Sequence, residues 1–138
     1  MKFITTQEEP INLGSLLETG ASGADGSDVI FIGRVRDNSR GKQVRFIDYE
    51  IYNEMALKEL NKIADEALAE WEASRIIIVH RFGRVAIAES SIVIIVSTPH
   101  RDDGYRASRY IIDEIKKRVP IWKKESYTDG SEWISERN

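Results

Sequence analysis

The sequence predicts an α+β fold with a mixed sheet covered by helices, and three observations carry that prediction. The runs IIIV at 76–79 and IVIIV at 92–96 are too short and too β-branched for helices, so they mark central strands covered on both faces. Leu57, Leu60, Ala64, Ala67 and Trp71 step by three and four along 53–73, the pattern of a helix with one buried stripe. Ile47, Tyr49 and Ile51 alternate with Asp48, Glu50 and Tyr52, as in a strand with one covered face.

Taken in order, 2–5 reads as a short edge strand and 11–17 as a short helix with Ile11, Leu13, Leu16 and Leu17 available for burial. The segment ETGASGADGS at 18–27 has small residues and no periodicity, so it reads as a surface loop and the most mobile internal segment. Residues 28–35 form a buried strand, with Gly33 where a side chain would crowd a neighbour. The turn cluster 37–42 joins it to 44–52, which predicts an antiparallel hairpin with a longer loop. Residues 82–89 connect the two central strands and read as a strand with a bulge at Gly83. A second helix carries Ala107, Tyr110, Ile111 and Ile115 and must stop before Pro120, whose ring cannot continue the ladder. The Asp129-Gly130 pair then turns a hairpin between 125–127 and 133–135.

With 138 residues, 41% hydrophobic and 31% charged, the chain has enough apolar sequence for one domain over 1–138 and is far from a disordered composition. A net charge of −3 argues against a broad nucleic-acid surface, so any anion site is local. No run approaches the ~20 apolar residues of a membrane span and no signal-peptide core follows Met1, which makes the cytoplasm the expected location. The absence of cysteine excludes disulfides, thiolate metal sites and a protein-borne persulfide. With two histidines, no metal site and no cofactor are expected.

Positive charge is concentrated in IKKRVPIWKKE at 115–125, which holds four lysines and one arginine. Pro120 pushes Val119 out of the helical region and sends the chain on extended, so Lys116 and Lys123 flank a stiff corner and can converge on one anion. Two further sets stand at element ends: Arg34 and Arg36 after the first long strand, and His100 and Arg101 after the second central one. Arginine suits a phosphate because its planar fork bonds two oxygens, and a lysine with a lowered pKa can carry a proton. Each has an ordinary structural alternative: a helix-capping lysine, an Arg34 or Arg36 paired with Asp48 or Glu50, a satisfied loop histidine. His80-Arg81 repeats the His-Arg dipeptide at another strand end and reads as structural. A docking groove beside Trp122 for a partner's extended tail is the non-enzymatic alternative.

GRVRDNSRGK at 33–42, YEIYNEMA at 49–56, HRFG at 80–83, STPHR at 97–101 and VPIWKKE at 119–125 together closely resemble the catalytic (large) subunit of molybdopterin synthase. The resemblance implies an α/β-hammerhead fold with a small additional antiparallel β subdomain. It implies a sulfurtransferase that installs two dithiolene sulfurs on cyclic pyranopterin monophosphate in molybdenum cofactor biosynthesis. It also implies a sulfur donor: a small ubiquitin-like subunit with a C-terminal Gly-Gly thiocarboxylate. No metal is needed at this step, because molybdenum enters the product later. Lys116 and Lys123 match the family's essential lysines; Arg34, Val35, Arg36, His100, Arg101, Lys116, Lys123, Lys124 and Glu125 match its substrate-binding positions. The family's assembly implies a homodimer of large subunits within a heterotetramer, and the need of the two central strands for cover on both faces points the same way. The turn at 37–40 departs from the family's asparagine- and histidine-rich turn, which leaves the roles of Asp37, Asn38 and Arg40 open.

Overall fold

The computed structural model describes residues 1–136. Its elements run β1 (Lys2–Gln7), α1 (Leu13–Glu18), β2 (Ser27–Arg34), β3 (Asn38–Ser39), β4 (Lys42–Ile51), α2 (Asn53–Glu70), β5 (Arg75–Arg81), β6 (Gly83–Ala86), β7 (Ser90–Thr98), α3 (Arg101–Arg118), β8 (Ile121–Tyr127) and β9 (Glu132–Glu136). The first sheet has the order β1-β5-β7-β2, with β1 parallel to β5 and the other neighbours antiparallel, so it is the mixed sheet expected. The second has the order β3-β4-β8-β9, with β6 pairing β4 on its other side.

The centre of the first sheet is buried as its β-branched runs predict. Ile76, Ile78, Ile92, Ile94 and Val96 pack on one face against Leu60, Ile63 and Ala64 of α2 and Ala107, Ile111 and Ile115 of α3. Ile77, Val79, Val93 and Ile95 face the other way, onto Leu16 with Ile11, Leu13 and Leu17 around it. Each such side chain contributes about 1.5–3 kcal/mol on full burial. This chain therefore covers both faces of these strands itself, and their need for cover is no argument for a second copy.

The expected hairpin between β2 and β4 does not form. β2 pairs with β7 instead, and β4 lies in the other sheet. The register explains the parting: Gly33 pairs with Ile92 but Arg34 with Ser90, which leaves Ser91 as an extra residue in β7 and bends the ladder. A Cβ on Gly33 would lie 2.8 Å from Ile92 Cγ2, so the close approach needs glycine. Val35 then leaves the sheet, and β3 folds back on β4 through Arg40 and Gly41, both in the left-handed region at φ 56° and 73°.

Other boundaries shift for local reasons. α1 starts at Leu13 because the Asn12 side chain caps it, accepting from the Ser15 N–H at 3.1 Å. α2 ends at Glu70, and α3 already begins at Arg101 with His100 as its N-cap. The segment at 82–89 supplies β6, which pairs with β4; Gly83, at φ 81°, makes the corner between the sheets. Val119 is extended at ψ 128°, as a residue before proline should be. The loop at 18–27 is tied at both ends: Arg75 donates to the carbonyls of Leu17 and Thr19 at 2.8 and 2.7 Å, and the Gly26 N–H bonds the Thr98 carbonyl at 3.0 Å. No helix among the described residues is long and apolar enough to cross a membrane.

Candidate active site

A cavity of about 290 Å³ opens where the ends of both sheets meet the last turn of α3. Arg34 and Arg36 reach it from the end of β2, Lys116 from α3 and Lys123 from β8, while Tyr49 of β4 and Ser91 of β7 also line it. The β-bulge at Gly33/Arg34 re-aims the end of β2, and the proline corner swings β8 back beside β4, where Lys123 is the direct cross-strand partner of Tyr49. The convergence of Lys116 and Lys123 expected from the sequence is present.

Lys123 is half-buried, and burial pulls its pKa below the ordinary lysine value. Glu125, two residues on along the same face of β8, opposes that shift; Lys116, Arg36 and Arg40 add to it by repulsion. Glu125 itself is buried and accepts from the Ser39 hydroxyl at 3.1 Å. A lysine so placed gives up its proton more readily than a solvated one.

Of the two carboxylates that could pair with the arginines, Asp48 is occupied elsewhere. Asp48 pairs with Arg84 at 3.0 Å, and no ion pair among the described residues uses Arg34, Arg36, Lys116 or Lys123. The same region is thus left positive around an open cavity, which favours an anionic ligand.

Several expected members lie elsewhere. Val35 is buried in the core, its N–H already donated to the Glu89 carbonyl at 3.1 Å and its carbonyl already accepting from Ala88 at 2.9 Å, so it spaces Arg34 from Arg36 and presents no free group. Lys124 points to the opposite face of β8, beside Trp122 and Ile134, and pairs with Glu132 at 3.7 Å. His100 and Arg101 line a separate cavity at the start of α3 with Asp28 and Tyr105. At 1.5 Å per residue, Arg101 stands about 22 Å along the helix from Lys116. Within one chain the two sets do not meet.

His80-Arg81 is structural, as expected. His80 is fully buried, its Nδ1 lies 2.7 Å from the Arg81 carbonyl, and burial lowers its pKa to about 4. Arg81 bonds the Glu8 carbonyl and pairs with Glu89 at 3.4 Å. Tyr49 and Ser91 are polar cavity residues the sequence did not single out for the site; the crossing of two sheets brings them in, and the one nearby signal was Gly33, read as a place where a side chain would crowd a neighbour. No cluster of three or more histidine or carboxylate groups that could hold a metal occurs among the described residues.

The sequence matches the MoaE protein family over residues 6–118. It is 41% identical to the molybdopterin synthase catalytic subunit of Halalkalibacterium halodurans over 99% of this chain and 87% of that one. The corresponding protein of Pyrococcus abyssi is 38% identical over 95% of this chain and 88% of its own. The crystal structure of molybdopterin synthase from Staphylococcus aureus superposes with a TM-score of 0.89 at 38% identity, covering 94% of each chain. A chain of the complex of subunits 1 and 2 of molybdopterin-converting factor from Helicobacter pylori shares the fold, with a TM-score of 0.77 at 19% identity over 97% of this chain and 89% of that one. With a family match spanning most of its length and relatives this similar from end to end, the chain belongs to the MoaE protein family.

Proposed function

We propose that this chain, acting as one domain, is the catalytic subunit of a molybdopterin synthase. It transfers sulfur from the thiocarboxylated C-terminus of a small carrier subunit to cyclic pyranopterin monophosphate, forming the dithiolene of molybdopterin. The observation that carries this reading is the meeting of half-buried Lys123 with Lys116, Arg34 and Arg36 on one cavity, none of the four in an ion pair among the described residues. Both reactants are anions, and a chain without cysteine needs its sulfur delivered. The Helicobacter pylori structure of similar fold is a two-subunit complex, and we assign the same kind of partner here. The reaction is assigned to the cytoplasm by the same family likeness.

Lys116 and Lys123 neutralise the thiocarboxylate and the charge that develops as sulfur adds to the substrate carbons, and Lys123 also moves a proton. Arg34 and Arg36 hold the substrate phosphate, and Glu125 steadies Lys123 from below. His100 and Arg101 complete the phosphate site from a second copy, since a helix length separates them from their own lysines. A homodimer that lays the start of one α3 over the other copy's cavity unites the two sets.

Mixing the protein with thiocarboxylated small subunit and cyclic pyranopterin monophosphate should yield a dithiolene product; no product with both reactants bound refutes the assignment. Mixing inactive Lys123→Ala with Arg101→Ala protein tests the shared site. Random exchange should restore about a quarter of wild-type turnover, because half of the dimers then carry one intact site of two. No restoration would return both sets to one chain.

A further inference from the structure

Tyr49 ties together the two sheets that build the cavity. Its ring lies directly across the β4–β8 ladder from Lys123 and edge-on to His80, with ring centroids 5.5 Å apart. Its hydroxyl meets Ser91 in a hydrogen bond, and Ser91 in turn donates to the Gly33 carbonyl at 3.3 Å. Ser91 is the extra residue of the bulge in β7 opposite the end of β2, so the chain of bonds runs from β4, the strand paired with that of Lys123, to the strand end carrying Arg34. Tyr49 and Ser91 are both buried, and both line the cavity. Burial holds the phenol neutral by raising its pKa, with Glu125 adding to the effect and Ser91 opposing it.

We propose that Tyr49 is a positioning residue of the reaction site. Its ring excludes water beside Lys123, and its hydroxyl, through Ser91, holds the sheet of Lys123 at a set distance from the sheet end of Arg34. The inference rests on the lysine cavity being the reaction site. It matters because reacting groups carried on two separate sheets must keep their spacing for the chemistry to run. The charged groups that face Lys123 are Glu125 on its own strand, Lys116 from α3, and Arg36 and Arg40 from the connection between β2 and β4, with Arg34 lining the same cavity.

The test uses the enzyme with its small subunit and substrate. Tyr49→Phe keeps the ring and removes only the hydroxyl; kcat should fall about tenfold with KM within about twofold, the scale of one lost hydrogen bond. Ser91→Ala should do the same, and the double variant should be no slower than either single one, because both break one connection. If Tyr49→Phe does not fold, Ser91→Ala decides. Tyr49→Leu opens the ring's place to water, so the pH midpoint for acylation of Lys123 by acetic anhydride, read by mass spectrometry, should move up by at least about half a unit. Wild-type kcat in Tyr49→Phe and Ser91→Ala, or an unmoved Lys123 midpoint in Tyr49→Leu, overturns the proposal even if the melting temperature drops. Lys123→Ala is run alongside. If it keeps turnover, the site reading itself fails; if it is dead while the tyrosine variants are normal, only the present inference fails.

Discussion

Two cations in the last turn of α3, two residues apart, are used in opposite ways. Arg118 points into the seam with α2, where it binds Glu66 at 2.6 and 3.0 Å and reaches Glu59 at 3.2 Å and Glu114 at 3.3 Å. Tyr110 donates to the same Glu66 at 2.6 Å, and these bonds, Arg118 first, hold the Glu66 pKa down at about 2. Lys116 points the other way, into a cavity where Lys123, Arg34 and Arg36 add charge of its own sign. Saturated charge fastens two helices, whereas unspent charge around an opening waits for a ligand. A basic helix end carries both meanings, and only the partners tell them apart.

Removing charge from each side breaks the comparison in distinct ways. Lys123→Ala should lower dithiolene formation by a factor of about 10² or more, while small-subunit affinity and melting temperature stay near wild type, since a lone lysine contributes little to the fold. Steady-state turnover beside a thermal melt decides it, and near-normal turnover would end the site assignment. Lys123→Arg sharpens the result: the charge remains but the proton is not released, so an inactive, substrate-bound variant identifies proton transfer.

A change at His80 should act through stability and pH. Its folded pKa, about 4, lies below its ordinary 6.5, so the unfolded chain takes up the proton first as pH falls. Stability from this group is therefore complete above about 6.5 and is lost progressively down to about 4, by up to roughly 3 kcal/mol. Denaturant melts at several pH values should show that slope in wild type and lose it in His80→Phe; an unchanged slope would assign the effect to other groups.

At the seam, Arg118→Ala should cost roughly 1–2 kcal/mol, more than an exposed pair because one guanidinium serves three carboxylates, while kcat stays within about twofold. Chemical denaturation beside turnover measures both, and a drop in kcat without a drop in stability would put Arg118 in the site. The smallest effect belongs to Lys124→Ala. Its side chain leaves the cavity for Glu132, so substrate KM should change less than about twofold; a tenfold rise would bring it back to the site.

Sequence periodicity alone determined the elements that depend on local patterns: the buried strands β5 and β7, the amphipathic α2, the stop at Pro120 and the Asp-Gly hairpin after β8. It also determined the convergence of Lys116 and Lys123, because a proline corner is a matter of a few bonds. Strand pairing was left to the tertiary structure. β2 and β4 each have strand character, and which ladder β2 joins depends on burial against β7, some sixty residues on in the chain. Side-chain direction followed the same division. Lys123 and Lys124 are adjacent in one basic run, yet the pleat sends one to the cavity and the other to Glu132, and only the register against Tyr49 says which. The separation of Arg101 from Lys116 follows from α3 being helical from Arg101 onward, which fixes about 22 Å between them. Tyr49 and Ser91 became cavity residues only where two sheets cross, since long-range contact leaves no spacing in a sequence to read.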